Sequence, residues 1–334
     1  MNILRAIASA LRSAAASEQR AEEKTPAQPV SAPAAPETCR QGDLTYERLA
    51  DRIVITNCAA IAESVAIPAA IDGLPITEIA NSAFFQHTLL KSVAIPDSVT
   101  TIGSYAFAES GLISVTLPRS VTFIGNAAFK KCTALTEIIL PDSVTAIGED
   151  AFCLCKSLKQ VVIPASLQTI EGSVFANCTA LTAVTMPDSV TKIADRAFCG
   201  CTALTDFVMP DSVTEIGQAV FYECKALETV RLSGSLQTIG FSAFAQCTSL
   251  KTITVPASVT RIKSGAFFSC KSLAAIIIEN PDCDISEEAG TLSTGYKIVD
   301  DARVCCFDGT IYGQANSAVQ AYAEKQGFLF ACKE

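Results

Sequence analysis

The residues of this 334-residue chain best suited to chemistry are fifteen cysteines and one histidine. Cys132, Cys155, Cys178, Cys201, Cys224, Cys247 and Cys270 follow one another at intervals of 23. Such a series admits a disulfide framework, a metal site or simple packing. If successive units stack at the spacing of adjacent strands, about 4.8 Å, neighbouring cysteines come within disulfide range. Seven in register cannot all pair, and each fills the same inward slot. A buried free thiol behaves as a small hydrophobe. Packing is therefore the expected role of this ladder.

The other candidates weaken on the same test. Cys153 and Cys199 complete two Cys-x-Cys pairs, but they lie two units apart, roughly 10 Å by strand spacing, beyond disulfide reach. Tetrathiolate zinc needs Cys-x2–4-Cys pairs brought together, so no metal is expected. Cys283, Cys305, Cys306 and Cys332, near the C-terminal end, are left open as possible disulfide partners. The one histidine, His87, stands where later units carry the ladder cysteine and reads as a structural variant of that slot. No nucleophile motif lies near it, and Gly-x-Ser-x-Gly, P-loop and dinucleotide fingerprints are absent from the sequence. Asp97, Asp142, Asp188 and Asp211 form a column after proline, where Asp-Ser favours a turn more than a calcium site. The sequon Asn177-Cys-Thr179 contains a ladder cysteine and is discounted. Neither catalysis nor a cofactor is expected.

The elements that must position these residues are repeats. Phe84, Phe107, Phe129, Phe152, Phe175, Phe198, Phe221, Phe244 and Phe267 are 23 apart, with one spacing of 22 caused by a deletion between Ser110 and Leu112. Leucine follows each ladder cysteine by three, and proline recurs from Pro96 to Pro256 with Ser233 in one slot. In the unit beginning at Leu135, Ile138 and Leu140 alternate with Glu137 and Ile139, the period of a short strand that Pro141 ends. Val144 and Ile147 open a second inward segment. Gly148 marks a bend, yet Glu171, Ala194 and Lys263 occupy its place elsewhere, so a positive φ is not obligatory there. Ala151-Phe152 then points a ring inward from a short helical or irregular turn. No unit buries its own apolar face, so neighbours must stack. Ten strands, from Val65–Ile67 to Ile276–Ile278, give a stack roughly 43 Å long at strand spacing.

This unit resembles that of the BspA-like leucine-rich repeat family, roughly L-x-x-I-x-I-P-x-x-V-x-x-I-G-x-x-A-F-x-x-C, over about residues 65 to 278. Ile71-Asp-Gly-Leu-Pro-Ile-Thr-Glu-Ile79 resembles that family's longer opening unit. Ile311-Tyr-Gly, Ser317-Ala318, Tyr322-Ala323 and Gly327-Phe-Leu-Phe330 resemble its closing segment. The resemblance implies a binding protein, as many members are surface-exposed and adhesive or partner-binding. The fold expected is an α/β repeat solenoid with one parallel strand per 23-residue unit and short irregular or helical segments on the other face. Residues 39–84 are read as N-terminal cap and first divergent repeat, 85–280 as the repeats, and 281–334 as C-terminal cap.

Composition agrees with a long, thin core. Hydrophobic residues make up 49% and charged residues 18%, and the mean hydropathy is +0.35. No run approaches the ~18 apolar residues of a spanning helix. The net charge is −9, and in the first 38 residues four basic and four acidic side chains cancel. The acidity belongs to the folded part, and without a basic cluster nucleic acid is not an expected partner. Residues 1–17 place Leu4, Ile7 and Leu11 on one helical face, open to weak interfacial membrane contact. Only Ala6 to Leu11 lie between the arginines, too short a stretch for a secretory core. Residues 18–38 read as a disordered linker. The many thiols favour a reducing, cytoplasmic location; the alternative is export, as in many members of the resembled family.

The surface left for function is the outward side of the strands. One column comprises Ala94, Thr116, Ile139, Val162, Thr185, Val208, Arg231, Thr254 and Ile277. Beside it run Glu137, Gln160, Ala183, Asp206, Thr229, Thr252 and Ala275. The candidate partner-binding face is taken as Glu137, Ile139, Gln160, Val162, Thr185, Asp206, Val208, Arg231 and Thr254. Of the residue types that dominate binding hot spots, Trp, Tyr and Arg, only Arg231 stands in these columns. The chain is thus expected to be a non-enzymatic scaffold for a protein partner, with an inert display or adhesion module as the alternative.

Overall fold

The computed structural model describes residues 37–334 apart from residues 60, 289, 300, 301 and 334. The expectations for the N-terminal helix and linker therefore lie, except at residues 37 and 38, outside the described residues.

The chain is a solenoid whose units carry two short strands each, one more than the repeat predicts. In the unit after Leu135 these are Glu137–Ile139 and Ala146–Ile147. Ten three- or four-residue strands run from Ser64–Ala66 to Ala275–Ile278, the number expected. The second strand escapes sequence reading because it is two residues long, and no alternation shows over two positions. Between the strands Pro141 turns the chain, the Val144 amide donating to its carbonyl at 3.0 Å.

The segment around each phenylalanine is turn rather than helix, and its cause is regular. Asp150 and Leu154 flank Phe152 with φ of 59° and 63°, and Ala127 and Lys131 flank Phe129 at 54° and 58°. Every unit from Phe84 to Phe267 has such left-handed residues two before and two after the ring. Each non-glycine case costs ~1–2 kcal/mol. The compensation is a set of bonds between units. The amides of Asp150, Phe152 and Leu154 donate to the carbonyls of Gly172, Val174 and Ala176 at 2.8–2.9 Å, while those of Ala151 and Cys153 close turns within the unit. This alternation excludes an α-helix and loosens the α/β description. Among the described residues the one α-helix is Ala318–Gln326, capped by Ser317 and ended by left-handed Gly327.

Gly148 has no left-handed backbone; what it needs is room. A Cβ there would lie 2.2 Å from Asn126 Oδ1 and 2.6 Å from the Asn126 nitrogen. Asn126 Oδ1 itself accepts from the Glu149 amide at 3.1 Å, stitching the two units at that corner.

The three-residue strands hydrogen-bond in pairs, so their face is stepped rather than one continuous sheet. Ser114–Thr116 pairs in parallel with Glu137–Ile139, Gln160–Val162 with Ala183–Thr185, and Asp206–Val208 with Thr229–Arg231. Across the step after Ile139 the Lys159 amide still reaches the Thr136 carbonyl at 3.2 Å. Both ends differ from the repeats. At the N-terminal end Glu37–Gln41, Leu44–Arg48 and Ile53–Cys58 form an antiparallel meander whose last strand pairs in parallel with Leu74–Ile79. At the C-terminal end Thr310–Gly313 and Leu329–Cys332 extend the sheet of Ala275–Ile278, and Gly295–Val299 with Ala302–Cys306 forms a hairpin.

Candidate functional site: the strand face and its internal support

The strand face rests on the Phe–Cys ladder. Phe129, Phe152, Phe175, Phe198, Phe221, Phe244 and Phe267 are fully buried, as are Cys132, Cys155, Cys178, Cys201, Cys224, Cys247 and Cys270. Successive rings from Phe84 to Phe267 stack with centroids 5.0–5.8 Å apart and planes within 16° of parallel. Each thiol does more than fill space. Its sulfur lies 3.1–3.2 Å from the main-chain carbonyl of the phenylalanine one unit back, as Cys155 does to Phe129 and Cys224 to Phe198. A cysteine slot thus has a donor with a defined target, which a purely apolar reading misses.

Burial pushes these thiols up: Cys132 to about 11, Cys270 to about 12, and Cys155, Cys178, Cys201, Cys224 and Cys247 well above their usual value of 9.0. Raised in this way, these thiols keep the proton that donation to a carbonyl oxygen requires. No disulfide joins any of the cysteines among the described residues, Cys283, Cys305, Cys306 and Cys332 included, whose pairing the sequence leaves open. Among the described residues no group of three or more His, Cys, Asp or Glu side chains is placed to hold a metal ion. His87 is half-buried, its Nε2 2.7 Å from the Cys58 carbonyl and its ring edge against Phe84, a structural position at the head of the ladder.

A serine series at the turn after proline adds further bonds between units. The hydroxyls of Ser143, Ser189 and Ser212 donate to the carbonyls of Val121, Leu167 and Val190 at 2.7 Å. The Pro-Asp-Ser recurrence signals it, but only stacking reveals that the acceptor lies in the preceding unit.

Outside this ladder all nine candidate-face residues, Glu137, Ile139, Gln160, Val162, Thr185, Asp206, Val208, Arg231 and Thr254, are exposed. Ile139, Val162 and Val208 show 65%, 62% and 60% of their surface. Register sets Val162 beside Thr185 and Val208 beside Arg231. At the C-terminal end of the same columns Ala275 and Ile277 are half-buried. Arg231 is not a loose cation: Nη2 meets both Asp211 oxygens at 2.9 and 3.1 Å, and Nη1 donates to the Met209 carbonyl at 3.1 Å. Asp211, held below the usual carboxylate range by the Gly234 amide and by Arg231, belongs to this cluster. Thr229 donates to Asp206 on the adjacent strand. The polar groups of the face are therefore partly tied to each other, while its β-branched apolar groups face solvent.

Stacked parallel strands, an internal Phe ladder and an outward strand face define a leucine-rich-repeat solenoid. The BspA type leucine rich repeat region, in six copies, matches residues 62–182 and 168–289, more than half of the sequence, and the chain belongs to this family. A T. pallidum leucine rich repeat protein is 30% identical, over 64% of this chain and 91% of that one, with a TM-score of 0.51. A leucine rich cell surface protein from Faecalibacterium prausnitzii A2-165 is 28% identical, over 74% of this chain and 90% of that one, with a TM-score of 0.48. No curated protein matched the chain. Among the described residues no helix is long and apolar enough to cross a membrane.

Proposed function

We propose that this chain is a non-enzymatic scaffold that binds a protein partner through its strand face. The observation that carries this reading is the exposure of Ile139, Val162 and Val208 in one column. The core gains nothing from apolar side chains at outward positions, whereas a partner would bury them at ~25 cal/mol per Å². Glu137, Gln160, Thr185, Asp206, Arg231 and Thr254 supply the polar surround. In this reading residues 39–84 and 281–334 are caps that end the stack, and nucleic acid is not a partner. The location proposed is a reducing compartment, supported by the solvent access of free Cys39, Cys305, Cys306 and Cys332. A second reading, an inert display or adhesion module, is favoured by the fact that a β-branched sheet face forms good strands without any ligand.

The triple variant Ile139→Glu, Val162→Glu, Val208→Glu separates them. The scaffold reading expects a partner captured by the full chain to be lost while the thermal midpoint is unchanged. Retention of every captured partner by the variant overturns it, leaving the display reading.

A further inference from the structure

The single 22-residue unit leaves a notch in the solenoid, and we infer that this notch is a binding site for a carboxylate carried on an apolar body. Elsewhere two residues separate the ladder slot from the following leucine, as in Cys132-Thr133-Ala134-Leu135; here one does, in Ser110-Gly111-Leu112. The short loop lies between two longer ones, from His87 to Leu90 and from Cys132 to Leu135, so its place is a depression. Gly111 forms the floor, pressed so closely on the preceding unit that a Cβ would lie 2.1 Å from the Thr88 carbonyl oxygen. The resulting cleft is about 560 Å³ and is lined by Thr88, Gly111 and Thr133 with Ala134, Ile113 and Leu154. That size falls within the usual range for small-molecule sites, ~300–1,000 Å³.

Its rim is basic in an acidic chain. Lys91, Lys131 and Lys156 line it against one carboxylate, Glu109. Two of these lysines already hold carboxylates: Lys91 meets Glu63 at 2.5 Å and Lys131 meets Glu109 at 2.6 Å. Lys156 is exposed and has no carboxylate partner among the described residues. The deletion leaves a hydroxyl over as well. Thr179, Thr202 and Thr248, the counterparts of Thr133, each donate to a carbonyl one unit back at 3.2–3.4 Å. Thr133 faces the shortened loop and makes no such bond among the described residues. Lys156 and Thr133 thus present two donors beside an apolar wall in which Ile113 is 44% exposed. A carboxylate satisfies the donors, and an attached alkyl or leucine-like group covers Ile113 and Leu154. The inference stands on the notch alone and is independent of the strand face.

The test is titration of the full chain, with Ile and Leu methyl NMR signals as the readout. The probes are decanoate, an acetylated and amidated Leu-Glu-Leu peptide, and the neutral control 1-decanol. Saturable shifts of Ile113 and Leu154 with decanoate identify an acyl-chain ligand, and shifts with the peptide identify an acidic–apolar segment; either supports the site. Lys156→Ala, at an exposed position, is expected to weaken binding by about 1.5-fold to fivefold, the range of an exposed charge pair. Replacing Gly111 by Thr-Ala restores the 23-residue unit and is expected to abolish binding. Absence of shifts with both acids, decanol binding as tightly as decanoate, or unchanged affinity in Lys156→Ala would each overturn the inference.

Discussion

The thiol of Cys201 donates to the main-chain carbonyl of Phe175 in the preceding unit, across 3.2 Å. The same carbonyl also accepts the Cys178 amide at 3.2 Å. One oxygen therefore closes a turn in its own unit and anchors the next unit through a thiol. Repeated seven times, this contact locks the register of the ring stack, because a sulfur out of place loses both its cavity and its acceptor. Valine would fill much of the volume and supply no donor; serine would supply a donor on a shorter, more strongly hydrated side chain.

Cys201→Ala should therefore destabilise the chain by about 1–2 kcal/mol, the sum of a small cavity and a lost hydrogen bond. Phe175→Ala should cost about 3–5 kcal/mol, since it empties a fully buried aromatic position. Urea denaturation followed by circular dichroism measures both. Equal costs for the two variants would show that the ring stack does not dominate the ladder.

Thiol accessibility gives a second outcome. In the native chain an aromatic disulfide reagent should react fast with exposed Cys332 and more slowly with half-buried Cys39, Cys199, Cys305 and Cys306. The seven ladder cysteines should react only after denaturant is added. A native count that includes ladder thiols would contradict their complete burial.

The pH dependence follows from the direction of the same shifts. A thiol whose folded value is raised above its unfolded value favours the protonated, folded state. Its contribution is present in full below the unfolded value of about 9 and declines as pH rises through the folded value. The decline runs to about 11 for Cys132 and to about 12 for Cys270, and the five other ladder thiols, also raised, add to it in the same direction. Stability should thus be flat in thiol terms up to about pH 9 and fall from there to about pH 12, with unfolding releasing thiol protons. Thermal midpoints taken across that range, with thiolate absorbance as a second signal, check the sign. A midpoint that rises above pH 9 would refute it.

Much of this architecture was legible because the repeat makes each position visible nine times over. The Phe at 23-residue spacing and the Pro after each strand fixed which residues face in. They also placed Ile139, Val162 and Val208 outward, where they lie. Three features were not legible, for physical reasons. The strand Ala146–Ile147 is shorter than any sequence period. The acceptors of Cys201 and Ser189 belong to other units, so the residues beside each donor do not identify its acceptor. The left-handed residues escaped because they are Ala127, Asp150, Leu154 and Arg196 rather than glycine: their conformation is imposed by bonds to the next unit, against local preference.

That imposition is measurable at two left-handed positions, one two residues after Phe198 and one two residues before Phe221. Gly200 and Ala219 both have positive φ, 71° and 53°, but differ in what a side chain meets. A Cβ at Gly200 would lie 2.4 Å from Asn177 Oδ1, so Gly200→Ala adds both left-handed strain and a clash. It should destabilise by about 1–3 kcal/mol. At Ala219 the methyl already carries the strain, and Ala219→Gly removes it at the entropic cost of a freer unfolded chain. The ~1–2 kcal/mol relieved exceeds the ~0.5–1 kcal/mol lost, so a net gain of about 0.5 kcal/mol is expected. Opposite signs for the two substitutions in chemical denaturation would establish that stacking holds these turns against their own propensity. A destabilised Ala219→Gly would mean that the strain is smaller than the entropy glycine brings.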